Sequence, residues 1–171
     1  MRAGRPSVLG SIVVSAALMA MAPVHAEADE LPEAIRAPGE TVVLKVHAEG
    51  AQIYECAADA AGALVWRFRE PIATLLRDGK TVGQHFAGPR WRLADGGGVR
   101  GEVIAKAPGA APADVPWLKL AVAAHEGGGA LDQVTTIQRI NTVGGVAAGA
   151  CGAAGTFLTV AYSADYVFLR K

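Results

Sequence analysis

Apolar and polar side chains alternate with a period of two along most of the chain beyond residue 40. Val42, Leu44 and Val46 alternate with Val43, Lys45 and His47, which predicts a strand over Glu40 to Ala48. Glu49-Gly50 reads as a turn and Ala51 to Cys56 as a second strand, so a hairpin is expected here. Leu64, Trp66 and Phe68 alternate with Val65, Arg67 and Arg69 in a third strand with a heavy inner face, ended by Pro71. Ile72 to Leu76 is short and ambiguous, and Asp78-Gly79 is a strong turn signal. Strands are then expected over Thr81 to Phe86 and Arg90 to Leu93, with Gly88-Pro89 breaking between them. Trp91 and Leu93 fall on one side of the latter, Arg90 and Arg92 on the other. After a turn at Asp95 to Gly98, strands are expected over Val99 to Ala107, Trp117 to Ala124 and Val134 to Val143. The last two are Thr156 to Val160 and Tyr162 to Leu169.

Strands of five to eight residues recur with turns between them, and no long amphipathic helix interrupts them. The fold class is all-β: an antiparallel β-sandwich or barrel, in a single domain over residues 40–171. The stretch Thr135 to Cys151 organises the rest. It begins as a strand, breaks at Gly144-Gly145 and runs through small residues to the second of only two cysteines.

The first 26 residues read as a secretory signal peptide. Arg2 and Arg5 precede an uncharged apolar run from Val8 to Met21, and Val24-His25-Ala26 ends in residues of the kind signal peptidase reads. Cleavage after Ala26 would leave residues 27–39 as a charged, mobile leader with Pro32, Pro38 and one helical turn. The expected address is the periplasm or the medium, with no membrane insertion after cleavage. The 16 basic residues less Arg2 and Arg5 leave 14 against 16 acidic ones, so no basic surface invites nucleic acid. Two cysteines in an exported chain most simply mean one disulfide, Cys56 to Cys151; a free thiol or a nucleophilic cysteine are the alternatives. That bridge would draw Tyr54, Glu55, Arg139 and Asn141 into one neighbourhood.

Recognisable chemistry is sparse. Gly96-x-Gly98-x-x-Gly101 matches the dinucleotide fingerprint in letters, but a strand rather than a helix follows it. His47, His85 and His125 form no metal-ligand spacing, so neither a metal nor a cofactor is expected. Ser163, the one serine past the signal, lacks a G-x-S-x-G setting. The candidate ligand-binding residues are Tyr54, Trp91, Gln138, Arg139 and Asn141. An arginine in a strand can grip a carboxylate with its fork. Against this, Arg139 could pair with a structural carboxylate such as Glu55, Asn141 could cap a turn, and Trp66, Trp91 and Trp117 could be core.

The segments PGETVVLKVHAEGAQIYEC, GQHFAGPRW, VPWLKLAV, QRINTVGGVAAGAC and YSADYVF, in this order, resemble the DUF3455 family of uncharacterised exported bacterial and fungal proteins. The resemblance runs from about Pro38 to Leu169. It marks Tyr54, Glu55, Cys56, His85, Gly88, Trp91, Gln138, Arg139, Asn141, Gly144, Gly145, Cys151 and Asp165 as motif positions and implies no activity. The first functional expectation is therefore non-catalytic binding of a small molecule or cell-surface component. The second is a hydrolase or isomerase using His85 with Glu55 or Asp165 as acid and base. The third is a structural envelope protein.

Overall fold

The computed structural model describes Met1 and residues 31–171, so the rest of the expected signal peptide and the first residues of the leader lie outside the described residues. Eight antiparallel strands close into a barrel in which each strand pairs with its neighbours in sequence and the last returns to the first. They are β1 (Thr41–Ala58), β2 (Leu64–Arg77), β3 (Lys80–Phe86), β4 (Arg90–Leu93), β5 (Gly98–Ala107), β6 (Trp117–Glu126), β7 (Thr136–Gly144) and β8 (Phe157–Arg170). Closure gives each of these strands a neighbour on both sides over at least part of its length, which removes most of the sheet edges of an all-β domain.

Three strands are longer than their sequence patterns imply. Glu49-Gly50 is no turn: β1 runs straight through it, and Gly50 lies opposite Ala73 on β2 and Tyr162 on β8. A Cβ there would stand 2.0 Å from the Ile72 carbonyl oxygen, so glycine is present for close strand approach. Pro71 does not end β2 either. It pairs with Gln52 on β1, while pairing with β3 begins only at Ala73, so its missing N–H costs no ladder bond to β3. Likewise β8 is one strand rather than two. Asp78 and Gly79, both at positive φ, make the expected tight turn.

Inward-facing residues fill the barrel. Trp91, Tyr166, Phe168, Leu75, Leu120, Ile137 and Val99 are fully buried. A second cluster lies on the outside of the β5–β8 wall, where Ile35, in a 3₁₀ turn at Glu33–Ile35, packs with Ala107, Ile140, Val167 and Leu169. Gln138 Nε2 donates to the Ile35 carbonyl at 2.7 Å, and Lys119 Nζ to that of Arg36 at 2.8 Å. Residues 31–39 are thus docked rather than a mobile leader; burying one isoleucine contributes about 1.5–3 kcal/mol. Cys56 and Cys151 are joined, with Cα atoms 5.7 Å apart. The bridge ties the far end of β1 to the loop between β7 and β8, and it fits an oxidising compartment. Among the described residues no helix is long and apolar enough to cross a membrane.

The wall is uneven in height. β1 has 18 residues and β2 and β8 have 14 each, whereas β3 has seven and β4 four. β4 pairs with β5 only as far as Arg90 opposite Arg100. Beyond these limits, Leu64 to Ile72 of β2 and Glu102 to Ala107 of β5 each pair on one side only. The barrel is therefore notched above the β3–β4 hairpin.

Candidate functional site

The notch opens the interior at the end that carries the disulfide. Paired residues in an antiparallel ladder share a face. Phe68 pairs with Tyr54, two positions along β1 from inward-facing Gln52, and Val103 pairs with core Leu120. Both therefore face inward, yet Phe68 is 55% and Val103 53% exposed, because among the described residues no strand stands between them at this height. Tyr54 meets Phe68 edge-on, with centroids 5.7 Å apart.

Arg139 stands on the opposite wall. It pairs with buried Tyr166 on β8 and with Leu118 on β6, so it faces inward, and it is half-buried. Its Nε and Nη2 donate to the Pro116 carbonyl at 3.1 and 2.8 Å. No carboxylate pairs with it among the described residues. Its charge reaches Tyr54, His85, Tyr162 and Tyr166 alike.

His85 and Trp91 form the floor, stacked with centroids 4.5 Å apart, and Tyr166 closes on both rings. Burial drives the His85 pKa down to about 3; the Arg90 carbonyl opposes the shift and the Arg139 charge adds to it. A carbonyl only accepts, so the 2.8 Å contact between His85 Nδ1 and Arg90 O puts the proton on Nδ1. The ring is neutral at physiological pH, and its contact partners are a carbonyl and two aromatic rings. Burial likewise raises Tyr162 and, further, Tyr166, whose hydroxyls lie 3.4 Å apart. Gln52 is 2% exposed, and its side chain reaches toward the Tyr162 hydroxyl.

Two loops cover the back of this end. Tyr54 donates to the Gly145 carbonyl at 2.6 Å, Val115 N–H to Gly144 at 2.9 Å, and Val146 N–H to Ala113 at 3.1 Å. Burial raises the Tyr54 pKa, with the Ala147 amide and the Arg139 charge pulling it back. Gly145, at φ +91°, presses between Val115, Gln52 and Tyr162, where a Cβ would approach each within about 3 Å.

Of the expected ligand residues, only Tyr54 and Arg139 face the opening, near enough for the Arg139 charge to act on the Tyr54 hydroxyl. Trp91 is sealed in the floor. Gln138 faces outward under the 3₁₀ turn. Asn141 also lies outside, at φ +52°, donating to Asp165 Oδ2 at 2.9 Å. The strand stretch Gln138–Asn141 lies across β8 from Lys45–His47 rather than from Ala51–Cys56, and Glu55 faces outward without pairing to Arg139. The proposed acid–base pairs do not form either: His85 is inside, while Asp165 and Glu55 are on the outer face.

Asp165 instead belongs to an outer cluster. His47 Nδ1 lies 2.9 Å from Asp165 Oδ1 and Nε2 lies 2.8 Å from Glu49 Oε1, with Lys45 Nζ 3.5 Å from Asp165. These two bonds to two acceptors raise the His47 pKa. A groove of about 510 Å³ runs beside it, lined also by Arg77 and Asp78. Its charges pair with one another, unlike Arg139.

Sequence reasoning missed Phe68 and Val103 as lining, and Gln52 and Tyr162 beneath them. The signal was present in the spacing of the turns at 78–79, 88–89 and 95–98, which leaves room only for short strands between long neighbours.

A family model described as a protein of unknown function (DUF3455) matches residues 37–80 and 76–170. No curated protein and no solved structure matches the chain.

Proposed function

The chain belongs to the DUF3455 family, and we propose that it is an exported barrel that binds, without catalysis, a small molecule carrying a carboxylate on an apolar body. The observation that carries this reading is Arg139: a half-buried, inward-facing cation at the notch, with no carboxylate partner among the described residues. A guanidinium offers five donors in a rigid fork, of which the Pro116 carbonyl takes two and the Tyr166 hydroxyl another. A carboxylate arriving through the notch would meet the others. Phe68, Tyr54 and Val103 offer the apolar wall that the body of such a ligand needs. The acid–base alternative lacks support, because neutral His85 has no carboxylate to work with among the described residues. The disulfide supports residence in the periplasm or the medium.

A thermal-shift screen of aryl and alkyl carboxylates, each beside its primary amide, tests the reading. A ligand present at 100 times its Kd stabilises the folded state by about 2.7 kcal/mol, a shift of several degrees. Acids should raise the melting temperature and their amides should not. Equal shifts for both, or none for any acid, would remove the basis of the proposal.

A further inference from the structure

This inference rests on the reading above and narrows its ligand. Two strands, β3 and β4, separate β2 from β5 in the barrel order, so the notch is about 14 Å wide at ordinary strand spacing. It has two free edges. That of β2 is blunted by Pro71, by exposed Arg67 and Arg69 and by a register shift beside Tyr54. That of β5 carries exposed Val103 and Ile104, with a register shift between Val103 and Ala105 but neither a proline nor an arginine beyond Arg100. The Gly101 N–H donates across to the Pro89 carbonyl at 3.0 Å, the last bond before the notch. Val103, two residues on, points its N–H the same way, toward a place where no strand stands among the described residues. An exposed apolar edge beside a cation that has no carboxylate partner among the described residues is the kind of place that takes an added strand with a carboxylate end.

We infer that the open end takes the C-terminal segment of an extended peptide, which pairs antiparallel with β5 from Glu102 to Ala107, lays an apolar side chain on Phe68 and Val103, and brings its terminal carboxylate to Arg139. The direction follows from the barrel. β5 ascends from the β4 turn toward the open end, so a strand descending into the notch runs antiparallel to it and leads with its carboxylate. Main-chain bonds supply affinity for any sequence, and the pocket beside Phe68 reads one side chain in two.

Fluorescence anisotropy on the purified protein tests this with one pool of dye-labelled hexapeptides that alternate serine with Val, Ile, Leu or Phe. The pool is used as the free acid, as the C-terminal amide, and as the free acid with alternate backbone nitrogens methylated. Phenylbutanoate serves as the small carboxylate. The free-acid pool should bind. Amidation, backbone methylation of the alternate set that faces β5, and Arg139→Gln should each weaken it at least about tenfold. Equal binding of the methylated pools would overturn strand pairing. Binding of phenylbutanoate without binding of any peptide would overturn this inference and leave the small-carboxylate reading standing. Binding of neither would overturn both.

Discussion

Replacing Gly50 by alanine puts a methyl group where β1 and β2 press together. The added Cβ would lie 2.0 Å from the Ile72 carbonyl oxygen, 2.5 Å from the Ala73 Cα and 2.7 Å from its Cβ. Two of these three atoms are backbone, and a methyl has no rotamer by which to retreat. Relief requires the strands to part by more than about 1 Å, and in a closed barrel one seam cannot widen without straining the others. Overpacking of a core costs about 1–3 kcal/mol where side chains can give; here the top of that range or more is expected, about 3 kcal/mol. The gain from a less flexible unfolded chain, about 0.4–1 kcal/mol, is smaller. Urea unfolding measures the difference. At a slope of about 2 kcal/mol/M the midpoint should fall by about 1.5 M. Gly152→Ala is the control, since nothing lies within 4 Å of its added Cβ and its φ is ordinary, so it should stay within about 0.5 kcal/mol of the parent. A Gly50→Ala protein within about 1 kcal/mol of the parent would mean that residue 50 turns in solvent, and would refute the continuous strand.

Further outcomes follow from the bridge, the outer histidine and the docked leader. The disulfide closes a separation of 95 residues, for which chain entropy gives about 4.7 kcal/mol as an upper figure. Cys56→Ala and Cys151→Ala should each lose about 2–5 kcal/mol and the double variant little more; two reactive thiols per unreduced, unfolded chain would contradict the bridge. The His47 pKa is raised, through Asp165 first and Glu49 second, so its contribution is fully present below the ordinary 6.5 and is lost as pH rises through the folded value. The Asp165 pKa is lowered, although burial opposes the hydrogen bonds from Asn141 and His47 that hold it down, so its contribution is present above the ordinary 3.8 and is lost as pH falls. The melting temperature should therefore decline above about pH 6.5, and His47→Gln should flatten that decline; an unchanged slope would count against the cluster. Ile35→Ala should cost about 2–5 kcal/mol in the same urea assay, whereas a mobile leader would show no change.

What the sequence made legible was whatever local chemistry decides. Asp78-Gly79 and Gly88-Pro89 mark real turns because few residues accept those backbone angles, and period-two alternation put Trp91 and Leu93 inside. Gly50 and Pro71 misled for one shared reason. Both residues usually break strands, and both stand here where tertiary context removes the penalty: one at a close strand approach, the other beside an unpaired edge. Ile35 misled because a short charged segment with two prolines shows no periodicity by which to announce its docking. The site was half legible. Arg139 and Tyr54 stand out as residue types, and the disulfide ties the strand of Tyr54 to the loop that follows the strand of Arg139. Gln138 and Asp165 face outward by plain alternation with their neighbours Arg139 and Tyr166, whereas Asn141 is turned outward by a β-bulge: the ladder slips between Ile140 and Val143, next to the positive φ of Asn141.

The central claim is that a carboxylate enters through the notch and meets Arg139. The most direct measurement is a titration with phenylbutanoate followed by nuclear magnetic resonance, reading the Nε–H signal of Arg139 together with the backbone amides of Phe68, Val103 and Tyr54. The Arg139 signal is identified by its loss in Arg139→Gln. The account predicts that these four signals move together along one saturation curve and that the Arg139→Gln protein, still folded, shows none of the amide shifts. Saturable shifts confined to the outer groove beside His47 and Asp165, with the Arg139 signal unmoved, would contradict it.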